Sequence, residues 1–129
     1  MRPTVTTTYT RHDCPVGPIR SAAGMHAPLG LDSVMITGGS WAPYLERNAR
    51  VSIPHAQSWM EKLGWVENFS ATVDGTIAAV RQGREFSDSD VYKLMEAMAW
   101  EIGRTGDADM ERRFGELTAV IVPAQEDDG

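Results

Sequence analysis

Cysteine is nearly absent from this chain of 129 residues, in which Cys14 is the single thiol. One thiol cannot form an internal disulfide, so the disulfide-stapled class of secreted scaffold is excluded. The chain also lacks any apolar run of about 20 residues, which a membrane-spanning helix needs. Its first residues, MRPTVTTTYTRHDC, have no apolar centre of the kind found in signal peptides. We therefore expect a cytoplasmic protein without a membrane span.

Positive charge is scarce as well. The chain has 12 Lys and Arg residues against 18 Asp and Glu residues, for a net charge of -6. No cluster of basic residues provides the electrostatic surface that a phosphate backbone or an anionic membrane requires. We predict that neither nucleic acid nor membrane is a partner. The hydrophobic content of 42% is nevertheless sufficient for the core of one soluble domain.

Histidines, which bind metals and catalyse proton transfer, number only three. His12, Asp13 and Cys14 are adjacent, but a structural zinc needs about four donors on ordered backbone, and His26 and His55 lack ligand spacing. We predict no metal site in this chain. His55 lies at a predicted helix break, where a buried, hydrogen-bonded imidazole is a more common arrangement than a catalytic one.

The start of the chain shows neither the alternating apolar pattern of a strand nor the three-to-four-residue apolar period of a helix. Residues 1–28 are rich in Thr, Pro, Gly and Ala, and we interpret them as a flexible tail that precedes one domain over residues 29–129. Ser33–Thr37 (SVMIT) is short, β-branched and followed by two glycines, which predicts one β-strand. No other segment offers this strand a partner, although an isolated strand leaves its backbone groups unpaired.

Helical signals begin after this strand. We predict a short helix over residues 43–51 and a second one that ends before Gly64, a residue suited to the left-handed turn after a helix. Pro54 lies between them and lacks a backbone N–H, which predicts a break or a kink, with Ser52 capping the restart. Residues 65–86 show no sustained period, and we interpret them as a long loop with helical fragments.

The clearest helix covers residues 88–103, where apolar residues recur at steps of three and four. A last helix begins at the cap residue Asp107 and ends near Pro123. The short link between the two predicts an antiparallel pair. Opposite charges four residues apart predict two ion pairs: Glu46 with Arg50, and Asp109 with Arg113.

The segment FSDSDV, residues 86–91, is the most suggestive local cluster. Asp88 and Asp90 lie at the positive end of a helix dipole, where they could accept hydrogen bonds from a ligand. Ser87 and Asp90 also approximate a capping box, and helix capping is the interpretation we favour over ligand binding.

The four tryptophans admit two interpretations: Trp41, Trp59, Trp65 and Trp100. Indole faces suit the apolar faces of sugar rings, so these side chains could form a sugar-binding platform. Packing in the core is the commoner use of tryptophan, and we expect it for at least two of them. Beyond these residues the sequence shows no Ser-His-Asp set, phosphate-binding loop or paired-cysteine motif.

Several ordered blocks resemble one family: VMITGGSWAPYLERNARVSIPHAQ, GWVENF, FSDSDVYKLMEAMAW and the closing AQEDDG. In this order they are similar to the amino-terminal region of glycoside hydrolase family 127, the β-L-arabinofuranosidases. The resemblance covers roughly residues 31–129. It implies a mainly α fold, an incomplete piece of an (α/α)6 barrel with about four helices as antiparallel hairpins, preceded by one short β-strand.

The family's chemistry, as the resemblance implies it, is retaining hydrolysis with a zinc-bound cysteine as nucleophile and a glutamate as acid/base. Those residues and the zinc ligands have no counterpart in the matched region, and Cys14 lies in the unmatched tail. The resemblance therefore implies zinc and an arabinose-containing oligosaccharide for a full-length form, and no catalytic or metal-binding residue here. We expect a truncated amino-terminal portion that is inactive alone, since relatives continue past the closing Asp-Gly turn.

Three matched acids would border a sugar pocket at the rim of such a barrel: Asp88, Asp90 and Asp128. A different class of function stays open beside this one. A small free-standing helical protein could use exposed helix faces to self-associate or to bind a partner helix. Seven methionines, several of them on one helix face, would give such a surface an adaptable lining.

Overall fold

A computed structural model describes residues 30–31 and 33–126. The chain divides into two units, Met1–Gly38 and Gly39–Gly129, and all regular structure described below belongs to the second. The predicted tail lies outside the described residues, as do His12, His26, Cys14 and their neighbours. None of the described helices is long and apolar enough to cross a membrane.

The second unit is mainly helical. Its elements are α1 (Trp41–Arg47), a π-helical segment (Asn48–Ser52), α2 (Ile53–Lys62), α3 (Glu67–Val73), α4 (Ile77–Val80), α5 (Ser87–Thr105), α6 (Ala108–Ile121) and a 3₁₀ turn (Val122–Ala124).

The predicted β-strand at Ser33–Thr37 is wrong. No strand forms among the described residues, and Val34, Met35 and Ile36 are exposed. The physical reason is the lack of a partner strand, which the sequence already indicated. A strand is stabilised by hydrogen bonds to a neighbouring strand, and no such neighbour exists in the described part of the chain.

The predicted break at Pro54 does not form, because α1, the π-helical segment and α2 follow one another without interruption. The preceding turn widens into the π-helical segment, in which the backbone N–H of Ile53 bonds to the carbonyl of Asn48 five residues earlier. Proline lacks an N–H, and its ring clashes with the carbonyl four residues before it, so a wider turn relieves the clash. Ser52 keeps helical dihedral angles and makes no capping bond through its side chain, which corrects the predicted restart.

The long loop predicted for residues 65–86 contains more structure than expected. Helix α3 forms within it and buries Phe69 and Ala71, and α4 adds one further turn. Both helices are too short to show a sustained apolar period, which explains why the sequence did not reveal them. Asp74 and Gly75 form a turn after α3, with Gly75 at φ +69°.

Helix α5 supplies the centre of the core, as its apolar stripe predicts. Val91 and Met98 are fully buried and Leu94 nearly so. The side chains packed around them come from α2, from α3 and the residue before it, and from α6: Ile53, Val66, Phe69, Met110 and Leu117.

Asp107 caps the start of α6, as predicted, and the helix passes into the 3₁₀ turn that contains Pro123. The Glu46–Arg50 ion pair forms, with 3.3 Å between Oε1 and Nε. The second predicted pair is wrong, because Asp109 binds Arg112, three residues on, at 2.7 Å. Arg113 instead donates to the side-chain carbonyl of Gln57, and this bond joins α6 to α2.

Replacement of Met98 by alanine should lower the free energy of unfolding by about 2–5 kcal/mol, because it opens a cavity in a fully buried position. Urea denaturation followed by circular dichroism measures this change. Met35→Ala is the matched control, since Met35 is 79% exposed, and should change stability by no more than about 0.5 kcal/mol. Equal effects of the two substitutions would contradict the packing described here.

The cap at Asp107 should make stability depend on pH. The backbone N–H groups of Met110 and Asp109 each donate to its Oδ1 at 3.0 Å, and Arg50 lies 3.3 Å from Oδ2. The bond from Met110 is the largest cause that holds the pKa of Asp107 below its ordinary value of 3.8. A lowered carboxyl pKa stabilises the fold above the ordinary value, and this contribution is lost as the pH falls through the folded-state value.

The test compares the natural chain with Asp107→Asn, which keeps an acceptor oxygen and removes the charge. The natural chain should be the more stable near neutral pH, and the difference should shrink as the pH falls below 3.8. A difference that does not change with pH would show that the charge of Asp107 contributes nothing.

Candidate functional site

A cleft of about 330 Å³ lies beside the start of α5. Trp65 and Phe69 give it an apolar side. Its polar side chains come from α3, from the connection between α4 and α5 and from the first turn of α5: Asn68, Thr72, Arg81, Glu85 and Asp88. Small-molecule sites combine apolar walls with a few convergent polar groups in this way, in volumes of roughly 300–1,000 Å³.

The connection over residues 81–86, which we call the cleft loop, is held to α3 by the amide of Asn68. Its Nδ2 donates to the carbonyl of Gln82 at 2.8 Å, and its Oδ1 accepts from the N–H of Gln82 at 2.9 Å. Within the loop, Nη2 of Arg81 donates to the carbonyl of Arg84 at 2.6 Å. These bonds satisfy the backbone of an exposed segment and fix the position of the cleft wall.

Gly83 allows the cleft loop to lie against Trp65. It has a φ of +83°, which is strained for any residue with a side chain. A Cβ atom here would lie 2.5 Å from Nε1 of Trp65 and would also overlap Oγ of Ser87. The indole therefore lies so close to position 83 that any residue other than glycine would displace it.

Ser87 does not form the predicted capping box with Asp90. It is buried, and its hydroxyl donates to the carbonyl of Arg84 at 2.8 Å, so it stabilises the cleft loop instead of the helix end. No side-chain cap bond is made at the start of α5. Asp88 is exposed at the cleft, and its Oδ1 accepts from the N–H of Ser89 at 2.8 Å.

The structure separates Asp90 from Asp88. Asp90 binds Lys93 at 2.9 Å and lines a different groove, between α2 and α5, with Ile53 and Leu94 on its apolar side. The cleft and this groove share no lining residue in the described part of the chain. The two carboxylates therefore do not act on one ligand in the cleft, and Asp90 forms a surface ion pair.

A larger cavity of about 550 Å³ adjoins the cleft at the end of α6. Tyr92, Ile121, Gln125 and Glu126 contribute to its lining. Asp128, the third acid expected at a sugar pocket, lies outside the described residues. Its contribution to either cavity stays a prediction.

Two further expectations about aromatic and imidazole side chains need correction. His55 is exposed, with its ring 6.2 Å from that of Trp59 between centroids, so it is not the buried imidazole expected. Trp41, Trp59 and Trp100 are exposed, and only Trp65 among the tryptophans is packed against the core cluster. Trp65 is also the one tryptophan that lines the cleft.

The zinc that the resemblance implies does not fit the residues seen here. No group of three or more His, Cys, Asp or Glu side chains within residues 30–31 and 33–126 is arranged to hold a metal ion. We therefore derive no chemical step through a metal from these residues.

The sequence did not point to three residues of the cleft: Asn68, Arg81 and Glu85. Asn68 contacts Gln82 across 14 positions, and no local motif encodes such a contact. The nearest signal is Gly83, since an isolated glycine between polar residues marks a place where the backbone approaches another group closely.

Comparison with known proteins connects this architecture to a family. The family model described as β-L-arabinofuranosidase, GH127 catalytic domain, matches residues 33–129. Among solved structures, the GH127 β-arabinofuranosidase BT3674 is similar, with a TM-score of 0.71 and 29% sequence identity. That similarity covers 78% of this chain and 16% of BT3674, so the chain spans a small part of that protein. No curated protein matches the chain significantly.

Gly83→Ala should destabilise the fold more than Gly75→Ala. Both glycines have positive φ, which costs an alanine about 1–2 kcal/mol, but Gly75 has open space around it. The overlap of a Cβ at position 83 with Trp65 should add at least about 1 kcal/mol to the loss of stability. Urea denaturation of both variants measures the difference. Equal losses would show that close packing against Trp65 is unimportant.

Proposed function

Because this chain belongs to glycoside hydrolase family 127, with the family's catalytic domain matched over residues 33–129, we propose that it serves as the amino-terminal part of a β-L-arabinofuranosidase-like enzyme of carbohydrate metabolism. The match to the catalytic domain, as opposed to an accessory domain, is the observation that carries this proposal. The substrate class that follows is an arabinose-containing oligosaccharide.

In this proposal the helices contribute to an (α/α)6 barrel as antiparallel hairpins. The packing of α5 against α6 and the short link between them support it. Ser87 at the start of α5 and Ala124 after the end of α6 also line the same cleft, as an antiparallel pair requires. The rims of such barrels, where helices begin and loops turn, are the usual place for a sugar site.

The work of this part of the enzyme is to bind and orient the sugar. Asp88 is an acceptor for a sugar hydroxyl at the cleft, and Asp128 stays in the proposal as a second rim acid. The cysteine nucleophile, the glutamate acid/base and the zinc ligands belong to other parts of the catalytic domain. Zinc, when bound there, keeps the cysteine thiol ionised near neutral pH.

A direct assay tests the division of labour. The 129-residue chain should release no nitrophenol from 4-nitrophenyl β-L-arabinofuranoside, with or without added zinc, because the proposal assigns the nucleophile and the acid/base to other parts of the catalytic domain. A full-length relative in the family should release it under the same conditions and serves as the positive control. Hydrolysis by the 129-residue chain itself would contradict the proposal.

The role of Asp88 is tested in that full-length relative, at the residue that aligns with Asp88. Its replacement by asparagine should lower kcat/KM about tenfold or more, since hydrogen bonds to a charged group contribute about 1.5–3 kcal/mol. The aligned Asp90→Asn substitution is the matched control and should change only stability. Unchanged hydrolysis in both variants would assign both acids to helix stability alone.

A further inference from the structure

Helix α1, the π-helical segment and α2 form one continuous rod. It runs from Trp41 to Lys62 and is about 33 Å long, at about 1.5 Å per residue. One side of the rod is buried in the fold through Ala49, Ile53 and Gln57. On another side, large exposed side chains recur at steps of three, four and seven residues, which places them on one face: Trp41, Tyr44, Val51, His55, Trp59 and Leu63. We call this face the aromatic stripe.

The aromatic stripe exposes more apolar surface than a soluble protein usually leaves in water. Trp41 is 68% exposed, Tyr44 60% and Trp59 49%. An aromatic side chain has about 150–250 Å² of surface, so these three rings with Val51 and Leu63 expose about 500 Å². A contiguous exposed patch of several hundred Å² marks an interaction surface. The stripe is therefore a docking face whose occupant its own pattern must identify.

The order of side chains along the stripe is nearly the same in both directions from Val51. Tyr44 lies seven residues before Val51 and Trp59 eight residues after it. Trp41 lies ten residues before Val51 and Leu63 twelve after it. In a twofold interface, residue i of one copy contacts residue j of the other while j contacts i, so the patch must be complementary to itself. A partner of unrelated sequence gives no reason for such an order, whereas a second copy requires it.

Two cations border the stripe, each above an exposed ring. The guanidinium of Arg47 lies 5.7 Å from the centroid of Tyr44, and Nζ of Lys62 lies 5.4 Å from that of Trp59. When two rods lie antiparallel about Val51, Lys62 of one copy comes next to Trp41 of the other, which adds a cation–π contact.

The same arrangement keeps like charges apart. Arg47 of one copy and Lys62 of the other are offset by about six residues, or about 9 Å along the rods. This offset is close to the Debye length of about 10 Å at 0.1 M salt, so their repulsion is largely screened. Repulsion between the cations therefore does not outweigh burial of the rings.

We propose that the aromatic stripe pairs with the stripe of a second copy of this chain, as two antiparallel helices about a twofold axis at Val51. Tyr44 of each copy packs on Trp59 of the other, and Trp41 packs on Leu63. The two stripes together bury about 1,000 Å², which is the lower limit of a specific interface, so the dimer dissociates in the micromolar range.

Sedimentation equilibrium of the 129-residue chain, at concentrations from about 1 to 200 µM, tests the assembly. The mass should rise from 14.2 kDa towards twice that value and no further, because a twofold interface is closed. Val51→Glu should raise the dissociation constant about a hundredfold, since it places two carboxylates against each other at the axis. The matched control is Val73→Glu at the end of α3, where a valine of similar exposure lies outside the stripe. It should leave the dimer intact.

A charge swap tests whether residue 51 lies at the axis. Val51→Glu and Val51→Lys chains should each be monomeric alone and should form a mixed dimer when combined, because opposite charges then meet. Circular dichroism of each variant confirms that the helices are retained.

Disulfide formation tests the antiparallel direction, in a Cys14→Ser background that removes the one natural thiol. A mixture of Tyr44→Cys and Trp59→Cys chains should form a disulfide between unlike chains, and the second Tyr44–Trp59 contact of that pair stays natural. Either chain alone should form none. Its two cysteines would be about 22 Å apart in the antiparallel pair, and a disulfide needs Cα atoms within about 7 Å.

Three results would overturn the proposal. The first is a mass of 14.2 kDa at every concentration, which would leave the stripe to another part of a longer catalytic domain. The second is equal weakening by Val51→Glu and Val73→Glu. The third is a disulfide between like chains in preference to unlike ones, which would reverse the direction of pairing. The nitrophenol assay does not depend on any of these results, so the proposed function stands or fails separately.

Discussion

The buried face of α5 is the constraint on which the rest of the second unit depends. Val91 and Met98 have no exposed surface, and apolar side chains from α2, α3 and α6 close around them. Burial of such side chains is the main favourable contribution to folding, so each neighbouring helix is positioned by the part of α5 that it covers. The first turn of α5, which carries Ser87 and Asp88, is fixed in space as a consequence.

Phe69 connects this core to the candidate site. It is buried among the core side chains, and its ring also forms part of the wall of both cavities. The adjacent residue on α3, Asn68, holds the cleft loop through Gln82. One short helix, α3, therefore joins the apolar wall of the cleft to the core through Phe69 and positions the polar wall through Asn68. A change in the packing of α3 would alter both walls of the cleft together.

The sequence was informative where a feature depends on residues within one helix. It was less so where a signal allows two outcomes or where a contact joins residues far apart in the chain. The stripe of α5 and the cap at Asp107 could be predicted because each depends on residues within one helix. The widened turn before Pro54 could not, since the sequence shows that the usual bond is lost but does not show whether the helix breaks or expands. The wall of the cleft was also hidden, because Asn68 and Gln82 meet only after α3 and α4 have folded.

The tryptophans show a further limit of this kind. Packing was the expected use for at least two, yet Trp41, Trp59 and Trp100 are exposed and only Trp65 packs against the core cluster. Composition gives the number of large apolar side chains but not which surface each one meets. The chain covers 16% of the length of its structural relative BT3674. In a protein of that length, large apolar side chains have more neighbours than the core described here provides.

The separation of Asp88 from Asp90 follows from helix geometry alone. Successive residues of an α-helix are rotated by about 100°, so side chains two positions apart point to nearly opposite faces. Once both acids belong to the first turn of α5, they cannot converge on one ligand, although their closeness in the sequence suggests that they do. Asp88 faces the cleft because the stripe of Val91, Leu94 and Met98 fixes the rotation of α5. The packing of the core thus decides which of two chemically identical acids faces the cleft.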